Sequence, residues 1–135
     1  MSHFLLKTEP GSYSFSDLER EGGTVWDGVR NNLALSHMRE IEKDDEVIIY
    51  HSGREASAIG IARVSRGAYR DPSSSEERIV VFDVEPVQRL PRPVSLKELK
   101  SDPAFKGSDL ARLPRLSVVP LTKAQWRKIL SLARN

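Results

Sequence analysis

Every apolar segment of this chain is short. The strongest cover residues 4–6, 46–51 and 78–84, and polar residues, glycine or proline interrupt the sequence between them. Short runs rich in β-branched side chains are typical of strands, whereas a bilayer-spanning helix needs about 20 predominantly apolar residues. The sequence therefore predicts short strands, and it predicts that the chain is not an integral membrane protein.

Helices of a few turns are predicted between these strands. Ser14 or Ser16 caps the first, and Gly22 ends it. Residues 31–41 form the second, and its apolar face is predicted to hold Leu33, Ala34, His37, Met38 and Ile41. Capping boxes at 95–98 and 122–125 start two more helices. The last helix places Trp126 on an apolar stripe, so this tryptophan is expected in the core.

The remaining segments complete an α+β pattern. Residues 58–65 predict a strand with a bulge or break, residues 71–77 a hairpin loop, and residues 115–120 a last strand. Leu90, Pro91, Arg92 and Pro93 are predicted to end a strand and lead into a helix. About five strands with three or four helices indicate a small α+β domain or a partly open barrel. At 135 residues, the chain is expected to form one domain over 1–135.

The sequence lacks the residues that several kinds of functional site require. Cysteine is absent, which excludes disulfides, cysteine-bound zinc, iron–sulfur clusters and a thiol nucleophile. His3, His37 and His51 lack metal-ligand spacing, and no phosphate-binding glycine motif occurs. The sequence predicts no metal, no cofactor and no catalytic residue. No secretory signal is readable at the start, so a cytoplasmic location is expected.

Charge is distributed unevenly along the chain. Residues 1–60 hold 6 Lys/Arg against 11 Asp/Glu, a net of −5, and residues 61–135 hold 15 against 8, a net of +7. A basic half can attract polyanions because phosphate neutralisation releases condensed counterions. An ordinary solvated surface explains the same numbers, so charge alone does not decide whether nucleic acid is bound.

One polar and aromatic segment lies between the first two predicted helices. Trp26 offers a flat face for stacking, worth roughly 1–3 kcal/mol per base in single-strand binders. Gly28 allows close approach to the backbone, and Asp27 can accept from an exocyclic amine. Arg30 and Asn31 follow. A tryptophan in the core followed by an aspartate that caps a helix would produce the same residue pattern.

Polar residues also follow other strands, where a rigid scaffold presents functional groups. Lys7 and Glu9 stand two residues apart, a spacing that puts them on one face of a strand. They suit a phosphate contact and a hydrogen bond to a base edge, or a surface ion pair. The other candidates are Tyr50, His51 and Ser52 at the end of the second predicted strand, and Arg115 and Ser117 at the start of the last.

These segments together resemble the EVE domain family of the PUA-like superfamily. The resemblance rests on residues 5–10, 13–14, 17–18, 24–31, 50–52, 60–62, 90–94 and 115–118, and most specifically on the run from Trp26 to Asn31. It implies a PUA-like pseudo-barrel of about five or six short strands flanked by short helices. It also implies a cleft that captures one flipped base, a modified cytosine or similar, from DNA or RNA.

The resemblance implies a role for each candidate residue, as follows. Trp26 stacks on the base, while Asp27, Gly28, Tyr50, His51, Ser52 and Ser117 line its pocket. Lys7, Arg30 and Arg115 hold phosphates, and Glu9 and Asn31 are further pocket candidates. A pocket for free nucleobases or other small molecules is an alternative. So is an amidohydrolase that uses Lys7, Thr8 and Glu9 on acylated nucleosides, as in the related ASCH branch. The sequence leaves the oligomeric state open.

Overall fold

The framework of the protein is one six-stranded sheet. A computed structural model describes residues 2–135. The strand order is β2-β5-β4-β3-β1-β6, and only the β1–β3 pair is parallel among these residues. The strands are β1 (His3–Thr8), β2 (Thr24–Trp26), β3 (Glu46–His51), β4 (Ser57–Arg70), β5 (Val80–Ser95) and β6 (Val118–Leu121). The predicted α+β fold with six strands is therefore confirmed.

Short helices connect the strands, and local sequence starts each of the main ones. They are α1 (Phe15–Glu21), α2 (Asn32–Met38), α3 (Leu96–Ser101), α4 (Asp109–Arg112) and α5 (Lys123–Ala133), with a 3₁₀ turn at Pro103–Phe105. Ser14, Ser95 and Thr122 each accept a hydrogen bond from the third residue of their helix. Within residues 2–135, no helix has the length and apolar character to cross a bilayer.

The core lies between the sheet and the helices. Phe15 at the start of α1 is fully buried, and its ring packs against the backbone of Gly60 in β4. A methyl group at Gly60 would lie 2.5 Å from the Phe15 ring. The β4–β5 register shifts between Ala58 and Gly60, which is where the sequence predicts a bulge or break.

The long hairpin of β4 and β5 differs from the prediction. Pro91 and Pro93 lie inside β5 rather than at its end. Arg89 pairs with Gly60 and Val94 with Ala58, so residues 90–93 form the bulged side of the ladder. Proline is tolerated there because a bulge requires no ladder donor.

The prediction for the second helix was wrong in its end and its face. Helix α2 ends at Met38, and its buried face contains Leu35 whereas Leu33 is 43% exposed. The Trp26 segment lies between α1 and α2 as expected, but residues 24–26 also form the edge strand β2, which was not predicted. β2 pairs with β5 through only three residues, which is too short for a period-2 pattern to show.

The sheet is curled. β2 and β6 are its opposite edges, yet α2 packs against both β5 and β6. Ser117, next to β6, lines the same recess as Trp26 at the end of β2. This curvature brings residues from both edges of the sheet to one site.

Candidate functional site

An open recess of about 540 Å³ lies where the two sheet edges approach each other. The end of β1, strand β2, the loop before α2 and the residue before β6 supply its walls. The lining residues are Lys7, Thr8, Glu9, Ser12, Tyr13, Thr24, Val25, Trp26, Asp27, Gly28, Val29, Arg30, Asn31 and Ser117. Its volume lies in the range of about 300–1,000 Å³ that is usual for small-ligand sites.

Most of the sequence-predicted site residues meet in this recess. Those that line it are Lys7, Glu9, Trp26, Asp27, Gly28, Arg30, Asn31 and Ser117. Glu9, Asp27, Gly28 and Arg30 are exposed, whereas Trp26 forms part of the wall. The recess therefore has an aromatic side and a rim that carries both signs of charge.

The indole of Trp26 is held rigidly. It is only 8% exposed and belongs to the hydrophobic core. The Tyr13 ring stands at 86° to it, with the ring centroids 6.3 Å apart, and the Tyr13 hydroxyl donates to Glu21 Oε1 at 2.7 Å. Burial and this hydrogen bond raise the pKa of Tyr13. Trp26 is thus a fixed wall of the recess and presents only part of its surface.

Lys7 brings a partly desolvated positive charge to the opposite side. Its Nζ donates to the carbonyl of Pro114 at 3.0 Å and lies 5.8 Å from the centroid of the Tyr50 ring. Burial lowers the pKa of Lys7, and the charge of Lys100 lowers it further. An ammonium group has three donors, so two remain for an anion in the recess.

The loop from Asp27 to Asn31 forms the outer wall. Gly28 has φ of +80°, a left-handed conformation that favours glycine. Asn31 ends the loop as the N-cap of α2, accepting from the Ala34 N–H at 3.0 Å. Arg30 extends outward and pairs with Glu76 at 2.7 Å.

Four predicted site residues do not line the recess, and the prediction was wrong for their placement. Tyr50 is 3% exposed and lies in the core, and burial raises its pKa. His51 is buried, and its Nε2 accepts the Phe15 N–H at 3.0 Å. Ser52 is half-buried, and its N–H donates to the Thr8 carbonyl at 2.9 Å. Arg115 lines a separate recess beside Leu33.

Sequence reasoning missed other lining residues as binding candidates. They are Thr8, Ser12, Tyr13, Thr24, Val25 and Val29. Thr24, Val25 and Val29 could have been found because they flank Trp26 in the family-like run, and Thr8 because it stands between Lys7 and Glu9. The place of Tyr13 depends on how α1 returns toward β2, which no local pattern specifies.

The recess offers stacking, hydrogen bonding and charge, but no obvious metal centre. Within residues 2–135, no group of three or more His, Asp or Glu residues is arranged to hold a metal ion. Thr8 Oγ1 donates to the Tyr13 carbonyl at 2.8 Å. The arrangement suits recognition of a planar polar ligand with an anionic group beside it.

The chain is similar to known proteins in sequence and in structure over nearly its whole length. Thymocyte nuclear protein 1 from Homo sapiens is 32% identical over 97% of this chain and 73% of its own length. Rpa0253 from Rhodopseudomonas palustris has a TM-score of 0.93 and 32% identity, over 99% of this chain and 94% of that one. ASCH from Zymomonas mobilis, at 16% identity and a TM-score of 0.64, shows the fold alone.

One related structure contains nucleic acid. It is a crystal structure of human THYN1 protein in complex with DNA that contains 5-methylcytosine, with a TM-score of 0.86 and 31% identity over 100% of this chain and 99% of that one. The sequence model of the EVE domain matches residues 2–132. The resemblance seen from Trp26 to Asn31 is therefore confirmed over nearly the whole chain, and the protein belongs to the EVE domain family.

Proposed function

We propose that this protein binds DNA or RNA and captures one modified base in the recess beside Trp26 without catalysing a reaction. A cytosine that carries a small substituent such as a 5-methyl group is the expected base. The observation that carries the proposal is the open recess between the Trp26 wall and the Lys7 ammonium, in an EVE domain chain whose human relative was crystallised with 5-methylcytosine DNA.

The recess can distinguish a base by shape and by its polar edge. Val25 and Val29 supply apolar surface beside Trp26, where a methyl group would be removed from water. Burying one CH₂-sized group is worth about 0.8 kcal/mol, or about a fourfold change in affinity. Asp27 and Ser117 supply acceptors and donors for the hydrogen-bonding edge of the base.

Cations at the recess suit the phosphates on either side of a flipped nucleotide. Lys7 and Arg30 both line the recess. Because burial disfavours the ammonium form of Lys7, a phosphate beside it would offset that cost. Extruding the base costs a few kcal/mol and is least costly in single strands.

Hydrogen bonds already formed by the polar groups favour binding over catalysis. The Thr8 hydroxyl donates to Tyr13, and the Lys7 ammonium donates to Pro114. The lone pair of His51 that would serve as a general base accepts the Phe15 N–H. A hydrolase that used the Thr8 hydroxyl as nucleophile or His51 as general base would first have to break these hydrogen bonds.

The test is binding of matched single-stranded oligonucleotides with one 5-methylcytosine or one cytosine at the same position. We expect about fourfold tighter binding of the methylated strand. Asp27→Asn should weaken binding without lowering the melting temperature, since Asp27 is exposed. Lys7→Gln should lower the slope of log affinity against log salt by about 0.7, the value for one phosphate contact on single strands.

The matched control for Lys7→Gln is Lys123→Gln, at an exposed position that starts α5. It removes the same charge and should leave the salt slope unchanged. Equal affinity for the two strands, with no effect of Asp27→Asn, would overturn the proposal. Binding of free 5-methylcytidine as tightly as the strand, without salt dependence, would instead favour a small-molecule pocket. Turnover of N4-acylated cytidine would favour the hydrolase.

A further inference from the structure

Few hydrogen bonds hold the outer wall of the recess, residues 27–31, to the rest of the protein. In the described part of the chain, residues 2–135, the backbone groups of residues 27–30 form no hydrogen bond with other backbone groups. Their hydrogen bonds to other segments both involve Arg30, whose carbonyl accepts from Arg78 and whose guanidinium donates to Glu76. Val29 adds a partly buried apolar contact. The hairpin between β4 and β5 therefore supplies the polar anchor of this wall.

The Arg78 side chain donates hydrogen bonds to both ends of the turn that leads into α2. Its Nη1 donates to the Arg30 carbonyl at 2.8 Å and to Asn32 Oδ1 at 2.9 Å. These partners are 48 and 46 residues away in sequence. A guanidinium holds its donors in a fixed plane, so two acceptors bound by one nitrogen fix the direction of the loop as well as its distance.

The backbone of Arg78 is itself anchored. Its carbonyl accepts from Arg39 Nη2 at 2.8 Å, and the next residue, Ile79, is 4% exposed in the core. Arg78 therefore ties the turn just before β5 to a loop that has no secondary structure of its own. The loop carries Asp27 and leads from Trp26 to the Asn31 cap.

We infer that Arg78 is a positioning residue for the base-binding recess, holding the 27–31 wall at the distance from Trp26 that a flipped base requires. The inference rests on the proposed function. Arg78 does not line the recess, so it acts through the Arg30 carbonyl and not by contacting the base. Glu76 contributes differently, because it pairs with both guanidinium groups, that of Arg30 at 2.7 Å and that of Arg78 at 3.7 Å, and does not contact the loop backbone.

The first measurement is the ¹⁵N backbone order parameter of residues 27–31, which needs no nucleic acid. In Arg78→Ala we expect these order parameters to fall from about 0.85, the value of a rigid backbone, to below about 0.6. Residues of β1 and β3 should keep their wild-type order parameters. Arg127→Ala, which removes an equal charge from an exposed position of α5, is the matched control and should leave residues 27–31 unchanged.

The second measurement is the ratio of affinities for the methylated and plain strands. Arg78→Ala should bring this ratio close to one while the protein still unfolds cooperatively, and Arg78→Lys should restore part of it. Glu76→Gln should strengthen binding of both strands equally, because it frees Arg30 for phosphate and keeps the two Nη1 hydrogen bonds of Arg78, although it removes the ion pair at Arg78 Nη2.

The outcomes separate the two proposals. Unchanged order parameters at 27–31 in Arg78→Ala would overturn the positioning role, whether or not any oligonucleotide binds. Lower order parameters with an unchanged affinity ratio would also overturn it, since the wall would then not control the base. Lower order parameters in a protein that binds neither strand would contradict the proposed function while leaving the anchoring of the loop intact.

Discussion

The rings of Tyr13 and Trp26 stand perpendicular to each other, with centroids 6.3 Å apart. Tyr13 precedes α1 and Trp26 ends β2, so this pair joins the helix side of the recess to the sheet edge. The hydroxyl of Tyr13 is tied to Glu21 at the far end of α1. The recess wall is therefore set by packing between two elements.

We predict that Tyr13→Leu lowers the free energy of unfolding by about 1 kcal/mol beyond its loss of buried area, the value of an edge-to-face aromatic pair. Tyr13→Phe keeps the ring and loses only an exposed hydrogen bond, so it should cost less. Urea unfolding of both variants measures the difference. Equal losses in Tyr13→Phe and Tyr13→Leu would mean that the hydroxyl, which both variants lack, and not the ring holds Trp26.

We expect Gly60→Ala to destabilise the fold by about 1–3 kcal/mol, because the added methyl overlaps the fully buried Phe15 ring. Gly11→Ala is the matched control, since nothing lies within 4 Å of a methyl group there. Thermal unfolding distinguishes them. Equal melting temperatures for the two variants would contradict the close packing of α1 on β4.

His51 should make stability depend on pH in the mildly acidic range. Burial lowers its pKa below 6.5 and the charge of Arg89 lowers it further. The neutral ring accepts the Phe15 N–H, and protonation removes that acceptor. Because the pKa is lower in the folded state, the stabilisation is present above pH 6.5 and is lost as the pH falls through the folded-state pKa.

His51→Gln tests this dependence, because its amide oxygen can accept the same N–H and does not titrate. We expect wild type to lose more stability than the variant as the pH falls below 6.5, because burial also lowers the pKa of His3 and that residue contributes equally to both proteins. The melting temperatures of both proteins across this range provide the measurement. Parallel curves would show that His51 does not titrate differently in the two states.

Glu98 should stabilise the start of α3 down to low pH. Hydrogen bonds from Arg92 and from the Ser95 N–H lower its pKa from 4.5 to about 2. The stabilisation is present above pH 4.5 and is lost as the pH falls toward 2. Since the pair is about one-third exposed, Glu98→Gln should cost only about 0.5–1 kcal/mol at pH 7.

Unfolding of wild type and Glu98→Gln in urea at pH 7, 4.5 and 2.5 measures that effect. The difference between the two should shrink across this series. A difference that stays constant down to pH 2.5 would assign it to the shape of the cap and not to the charge.

Local signals in the sequence predicted local structure well. Ser95 with Glu98 and Thr122 with Gln125 specify helix starts because each box satisfies its hydrogen bonds within four residues. Leu33 was misplaced because a short helix allows two apolar faces, and tertiary packing chose Leu35. Pro91 and Pro93 stay within β5 because the register of β4 creates a bulge, which no local pattern reports.

The site was predictable where one continuous segment forms it. Trp26 to Asn31 line the recess together. Tyr50 and His51 were placed wrongly because the packing of α1 on the sheet turns them into the interior. The contribution of Arg78 depends on a contact across 48 residues. The single-domain organisation, the cytoplasmic location and the binding roles of individual residues stay predictions.

The two tryptophans allow the most direct test of the central claim. Trp26 lines the recess, whereas Trp126 packs against His3 with ring centroids 4.3 Å apart. We predict that titration with a single strand containing one 5-methylcytosine shifts the NMR resonance of the Trp26 indole N–H saturably and leaves that of Trp126 in place. Saturable binding of the strand with an unmoved Trp26 resonance would contradict capture of a base in this recess.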